Sequence, residues 1–372
     1  MIYMDNAATS YPKPSVVLDA LWEAVERCGN PGRGAHSLSV WAGEKVLETR
    51  ENIARLFHVQ DASRIAFTQN ATHALNIAVH LCYGEILTTS MDHNSVLRPC
   101  AKRGYYRIVS GDYNGHLSPD QIVSAIGDMT GAVIMTHASN VTGEIYEIEP
   151  IAKACRKRGI LFILDCAQSA GTVDLNLEKV PADIVCITGH KGLFGLQGTG
   201  AVYVAPHVPI SPFMSGGTGT NTFDLTHPNQ MPECFEAGTV NTHGIATLCA
   251  GVEYVLDCGI SAIRKKESAL RSYFQQELVK IPGVTIYGDG SNCAYTGVLS
   301  INVLGKDPGM LANYLASKEI CVRAGFHCAP LAHDTIGTKS LGGTVRFSLN
   351  HLNTVDEIDV VISYIKEFCK NL

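Results

Sequence analysis

Two polar clusters, each closing an apolar run, hold the residues best suited to chemistry in this sequence. The run Ile160–Leu164 ends in Asp165, with Gln168 and Ser169 just beyond. The run Ile184–Ile187 ends in Thr188, His190 and Lys191. Continuous apolar, β-branched runs of this length read as central strands of a parallel sheet, buried on both faces. In open α/β sheets, ligands bind beyond the carboxyl ends of such strands. A carboxylate and a lysine delivered there by two strands imply a site built around one ligand.

That ligand reads as pyridoxal phosphate. Its chemistry needs a lysine to hold the aldehyde as a Schiff base, and an acid facing the pyridine nitrogen. A carboxylate there favours the protonated ring, because an opposite charge raises that nitrogen's pKa. The protonated ring is the electron sink for a substrate carbanion. Lys191 and Asp165 suit those two roles. Taken singly, Asp165 is an ordinary strand-end cap and Lys191 an ordinary loop lysine. Their pairing, with Thr188 and His190 beside the lysine, gives the reading its weight.

The elements that must position these residues alternate between strand and helix from about residue 15 to 255. Helical spacing marks Ser15–Arg27 and Ser39–Phe57, separated by a Gly/Pro-rich loop that contains Arg33 and His36. A strand at Arg64–Thr68 runs into the polar turn 69–72, with Ala71 and Thr72, and then a helix at His73–Leu81. Strand, polar turn and helix in that order point free backbone N–H groups at a phosphate. Strands at Glu85–Thr89 and Ala132–Thr136 lead to His93 and Asn140, and a further strand follows at Ala201–Ala205. Neither GxxxxGK[ST] nor GxGxxG occurs, so no nucleotide site is expected.

From about residue 256 the pattern changes. Helical segments flank Gly259, short strands follow at Val284–Tyr287, Gly297–Val303 and Thr344–Ser348, and helices at Asp307–Ser317 and Val355–Phe368. The expected fold is α/β, with a mostly parallel central sheet in a large domain over residues 13–255. Residues 1–12 and 256–372 then form a smaller α/β domain. No repeat, low-complexity linker or charge run marks the boundary.

Composition agrees with that picture. A chain of 372 residues is long for one core, and 46% hydrophobic with 17% charged residues describes a globular protein. A net charge of -6 without Lys/Arg blocks argues against nucleic acid as a partner. No apolar run approaches membrane-spanning length, and the opening MIYMDNAATSYPKP has no signal-peptide pattern. Thirteen cysteines without a CxxC pair point to reduced thiols and a cytoplasmic location. Most lie in apolar runs, as Cys82, Cys155, Cys186 and Cys249 do, and read as small buried hydrophobes. No HExxH or Cys/His cluster at ligand spacing is present, so no metal is expected.

Three motifs in order make the reading specific: Tyr3-Met-Asp-Asn-Ala-Ala-Thr9, Gly189-His-Lys-Gly192 and Arg323-Ala-Gly-Phe-His-Cys328. Across its whole length the chain resembles the class V aminotransferase branch of pyridoxal-phosphate enzymes, and within it a cysteine desulfurase. The resemblance implies the fold-type-I, aspartate-aminotransferase-like architecture and a homodimer with sites at the subunit interface. It assigns Lys191 to the Schiff base and Asp165 to the pyridine nitrogen. His93 would stack on the ring and shuttle protons, while Asn140 and Gln168 would reach the ring hydroxyl. Thr72, Thr188 and His190 would hold the phosphate, helped by the helix N-terminus after Ala71. Many relatives carry two hydroxyl residues where this chain has Ala71-Thr72, which leaves one phosphate contact to the backbone. Thr239 would reach the partner subunit's phosphate.

The resemblance also assigns Arg346 to the substrate carboxylate, which a guanidinium fork binds through two parallel hydrogen bonds. Arg323 and Arg33 are further candidates for the same pocket. Cys328 separates desulfurase from plain aminotransferase: its thiolate would attack the substrate's sulfur, leaving a persulfide on the enzyme and alanine as product. Positive charge from His327 and Arg323 would favour that thiolate. Phe326 stands where the sulfur-mobilising branch often has histidine, which leaves the sulfur-acceptor protein open. The alternatives are a selenocysteine lyase yielding alanine and selenide, another class V aminotransferase-type enzyme, and a non-catalytic cofactor-binding or sulfur-relay protein. The intact set of Lys191, Asp165, His93 and Arg346 counts against the last.

Overall fold

The computed structural model describes residues 1–32, 34–288, 290 and 293–370. A seven-stranded sheet organises it. The strands are β1 (Ile65–Thr68), β2 (Glu85–Thr89), β3 (Tyr106–Val109), β4 (Thr130–Thr136), β5 (Leu161–Asp165), β6 (Ile184–Thr188) and β7 (Gly200–Val204). Their order is β1-β7-β6-β5-β4-β2-β3. All neighbours pair in parallel except β7, which runs antiparallel to both β1 and β6. This is the mostly parallel sheet expected.

Burial explains why β4, β5 and β6 read as unbroken apolar runs. Every residue in them is buried. Successive side chains enter opposite faces. Phe162 and Leu164 of β5 join the core on one side, and Leu161 and Ile163 join the core on the other. Each fully buried side chain of this size contributes roughly 1.5–3 kcal/mol. The outermost strand β3 was not predicted: its pattern is half-exposed, with Arg107 facing out, so it lacks the continuous run. The helices Asn94–Arg103, Pro119–Ala125 and Glu149–Arg158 also escaped prediction, and all three contain proline.

A second, antiparallel sheet follows: β8 (Val284–Tyr287), β9 (Val298–Val303), β10 (Arg323–Gly325) and β11 (Thr344–Ser348), in the order β8-β9-β11-β10. Its core combines Leu299, Ile301, Val345 and Phe347 with Phe274, Leu315 and Ile362 from three helices. The first residues of the chain belong here. Ile2–Tyr3 pairs with Ile320–Cys321, and Met4 is wholly buried in this core. The loop after β4 meets the second sheet at Gly143. Its φ of +78° suits glycine, and a Cβ there would stand 2.4 Å from the carbonyl oxygen of Val298.

Candidate active site

Asp165 closes β5 and is 4% exposed. Burial pushes its carboxyl upward, opposed by the Ala167 N–H, which donates at 2.9 Å, and by Lys191. Thr188 closes β6 next door, and its Oγ1 is buried without a partner. Past that strand end, Lys191 is lowered from 10.5 to about 8, first by burial and then by Arg346, with Arg323 adding to it. Asp165 and Asp5 pull the other way. A lysine lowered in this way holds more free amine near neutral pH than a solvent-exposed one, and the free amine is the form that attacks a carbonyl. Burial, Lys191 and Lys13 hold His190 down to about 4, and its Nδ1 has no partner. Lys13 braces this turn by donating to the carbonyl oxygens of His190 at 3.2 Å and Gly195 at 2.7 Å.

The other strand ends supply the facing wall. After β1, Asn70 caps the helix Ala71–Leu81 by accepting from the His73 N–H at 3.0 Å. The Ala71 and Thr72 end of that helix faces the same cavity. After β2, His93 caps the helix Asn94–Arg103 through Nδ1, which accepts from the Ser95 N–H at 3.0 Å. Burial and the cations Lys191, Arg323, Arg346 and Arg98 lower His93 to about 4, so its ring is neutral. After β4, Asn140 donates through Nδ2 to the His327 carbonyl oxygen at 2.7 Å, and its own carbonyl oxygen accepts from Arg346 at 3.1 Å.

Arg346 and Arg323 come from the second sheet, where they stand directly opposite each other on β11 and β10. Arg346 is 1% exposed, pairs with Asp5 at 3.0 Å and keeps its Nε unpartnered. Arg323 is exposed and reaches Cys328 Sγ at 3.9 Å. His327 and Cys328 both adopt left-handed backbone, with φ of +48° and +57°. The Cys328 carbonyl oxygen accepts from the Asn94 N–H at 2.8 Å, tying this loop to the His93 helix. Cys328 itself is an exposed free thiol.

One cavity of ≈ 310 Å³ unites these residues, within the range of small-ligand sites. Of the sequence candidates it is lined by Ala71, Thr72, His93, Asn140, Asp165, Gln168, Thr188, His190, Lys191, Arg323 and Arg346. Gln168 is fixed there by donating to the Ala7 carbonyl oxygen at 3.1 Å. Cys328 is not among them, and neither is Thr239. The latter is exposed and lines a separate cavity beside Glu236 and His73. Arg33 lies outside the described residues. One expectation is corrected: His327 cannot lend Cys328 positive charge, because burial and Arg346 keep its ring neutral and its Nε2 is engaged with Thr344. Arg323 alone of the two approaches the thiol.

Sequence reasoning passed over Asp5 and Ser95. Asp5 sat inside a quoted motif as a residue without a role, and its link to Arg346 spans 341 positions. Ser95 stands two residues past His93 and drew no role of its own from the sequence.

An acid, a lysine and a helix N-terminus brought to one cavity by a mostly parallel sheet define the fold-type-I class of pyridoxal-phosphate enzymes. A family model, aminotransferase class-V, matches residues 2–361. A probable cysteine desulfurase of Methanothermobacter thermautotrophicus is 33% identical, covering 98% of this chain and 94% of its own. One from Pyrococcus abyssi is 34% identical, covering 100% and 95%. The apo structure of a cysteine desulfurase from Thermococcus onnurineus superposes with a TM-score of 0.91 at 32% identity, covering 100% of this chain and 95% of that one. The chain belongs to the class-V aminotransferase family.

Pyridoxal phosphate is that family's cofactor, and the residues present fit it. Among the described residues, Thr188 Oγ1, His190 Nδ1 and Arg346 Nε are buried polar atoms without partners, and all three residues line the one cavity. Such orphans are costly unless a ligand satisfies them.

Proposed function

We propose that this chain is a cysteine desulfurase that converts L-cysteine to L-alanine and takes the sulfur onto Cys328 as a persulfide. The observation that carries the reading is an exposed thiol, Cys328, 3.9 Å from the Arg323 guanidinium beside a cavity that holds Lys191 and Asp165. The two relatives and the solved structure above carry the same name, and none a selenocysteine one.

Pyridoxal phosphate, when bound, supplies an electron sink for the substrate's α-carbon. Lys191 would hold its aldehyde, and Asp165 its ring nitrogen, with the buried carboxyl turned into a full anion by that contact. Thr72, Thr188 and His190, with the N–H groups at Ala71, would seat the phosphate. Asn140 and Gln168 would border the ring hydroxyl. Arg346 would take the substrate carboxylate through its free Nε and an adjoining N–H, and Arg323 would stand beside the Cys328 thiol. Cys328 Sγ would then bond to the substrate's sulfur as the carbon–sulfur bond breaks, the electron pair of that bond staying on the substrate carbon, where a proton passed on by His93 would complete alanine. As a thiolate, the loop cysteine is a competent nucleophile.

Residues 13–255 would form the large domain, and 1–12 with 256–372 the small one, a division supported by Met4 lying in the second sheet's core. Thr239, outside this chain's own cavity, would serve a partner subunit's phosphate in a homodimer. A sulfur-acceptor protein would discharge the persulfide. Thirteen free cysteines suit a cytoplasmic location. The test is Cys328→Ala. It should keep the yellow, lysine-bound cofactor and still bind L-cysteine, and lose alanine formation. Parental alanine production by this variant would overturn the proposal.

A further inference from the structure

We propose that Ser95 is a positioning residue that holds His93 as the neutral tautomer with its proton on Nε2, and couples that state to Thr72. The inference deepens the reading above, resting on His93 as the ring-stacking residue and on the Thr72 turn as the phosphate seat.

Hydrogen-bond direction carries the argument. The Ser95 N–H donates to His93 Nδ1 at 3.0 Å. A backbone amide has only a proton to offer, so Nδ1 must present its lone pair, and the ring's single proton lies on Nε2. Ser95 Oγ lies 2.9 Å from the same Nδ1. With no proton on that nitrogen, the hydroxyl is the donor. Its oxygen then accepts, and Thr72 Oγ1 at 2.7 Å is the group that donates to it. The chain of donors therefore runs from Thr72 to Ser95 to His93.

The charges around the ring agree but do not choose the nitrogen. Lys191, Arg323, Arg346 and Arg98 face His93 from four different segments, and with burial they disfavour the imidazolium. Charge alone leaves either tautomer open. Ser95 closes that choice with two donors on one nitrogen. A neutral ring stacked on a protonated pyridine avoids placing two cations face to face. An anion in the phosphate seat competes for the Thr72 hydroxyl, so occupancy of the seat is felt at Nδ1 two hydrogen bonds away.

The experiment is nitrogen-15 NMR of histidine-labelled protein, without cofactor and loaded with it, with His93→Gln identifying the signals. At neutral pH the parent should show protonated Nε2 and bare Nδ1. Ser95→Ala keeps the backbone N–H that fixes the tautomer and removes only the hydroxyl donor, so Nε2 should stay protonated while the His93 protonation constant rises roughly threefold to tenfold. Ser95→Thr should restore the parental titration. A purely structural role for Ser95 would leave the titration of a folded variant unmoved. A proton on Nδ1 in the parent, or an unchanged titration in Ser95→Ala, would overturn the proposal. The readout needs no turnover, so a protein that fails to desulfurate cysteine still answers it.

Discussion

Cys328 offers a direct measure of what the reactive loop costs the fold. Its φ of +57°, next to His327 at +48°, lies in the left-handed region, which costs a non-glycine residue roughly 1–2 kcal/mol. The loop persists because it is held at several points: Asn140 and Asn94 bind the carbonyl oxygens of His327 and Cys328, and Thr344 binds the His327 ring. Cys328 is exposed and its Sγ makes one weak contact, to Arg323. Truncating the side chain therefore loses little. Cys328→Ala keeps the backbone strain and should unfold with nearly parental stability. Cys328→Gly releases the strain of about 1–2 kcal/mol but gives back about 0.4–1 kcal/mol through the looser unfolded chain. The glycine variant should therefore be more stable than the alanine variant by about 0.5–1 kcal/mol. Urea unfolding of the two proteins, compared at equal slope, measures the difference. A glycine variant equal to or weaker than the alanine variant would refute the strain argument, whatever happens to activity.

Asp5→Ala strips a nearly inaccessible Arg346 of its counter-charge while Lys191 and Arg323 remain nearby. Because Asp5 is itself a fifth exposed, the expected loss is about 2–3 kcal/mol, below the 3–5 kcal/mol of a fully buried pair, and added acetate should restore part of it; unchanged urea midpoints would contradict this. Glu267, 4% exposed, has its carboxyl raised from 4.5 to about 8 by burial. A raised carboxyl binds a proton in the folded state that the unfolded chain has lost, so its contribution is intact below pH 4.5 and disappears as pH rises to about 8. Glu267→Gln should thus gain stability over the parent across that window and hold a constant gap above it, as midpoints at a series of pH values will show. Mixed Lys191→Ala and Thr239→Ala subunits should recover activity above either variant alone, since one site of each heterodimer carries neither lesion; proven exchange without recovery would mean that each site is self-contained.

Most of the large sheet was legible because β4, β5 and β6 are buried on both faces and announce themselves as apolar runs. The residues at their ends, Asp165, Thr188 and Lys191, were legible for the same reason: a polar group abruptly following a buried strand has few structural excuses. Edge strand β3 and the proline-containing helices sent weaker signals, since half-exposed patterns match several structures. Asp5 and Ser95 were invisible for another reason. Their chemistry lies in partners, Arg346 and the His93–Thr72 pair, that only the fold brings close. His327 misled because a histidine beside a cysteine suggests charge, whereas burial decides its protonation.

On the proposed roles, the two sheets would divide the substrate between them. Arg346 and Arg323 sit opposite each other on β11 and β10, and Cys328 follows three residues after β10. On the proposed roles, one small antiparallel ladder grips both the carboxylate and the sulfur, while the large sheet addresses only the carbon between them. The ladder is then a ruler whose marks are a guanidinium and a thiol. An amino acid longer by one methylene puts its sulfur off the mark without disturbing cofactor or lysine, a discrimination that one methylene typically makes worth 10–200-fold. Side-chain length could thus be retuned by edits to β10, β11 and their loop, leaving the electron-withdrawing machinery of the other sheet untouched.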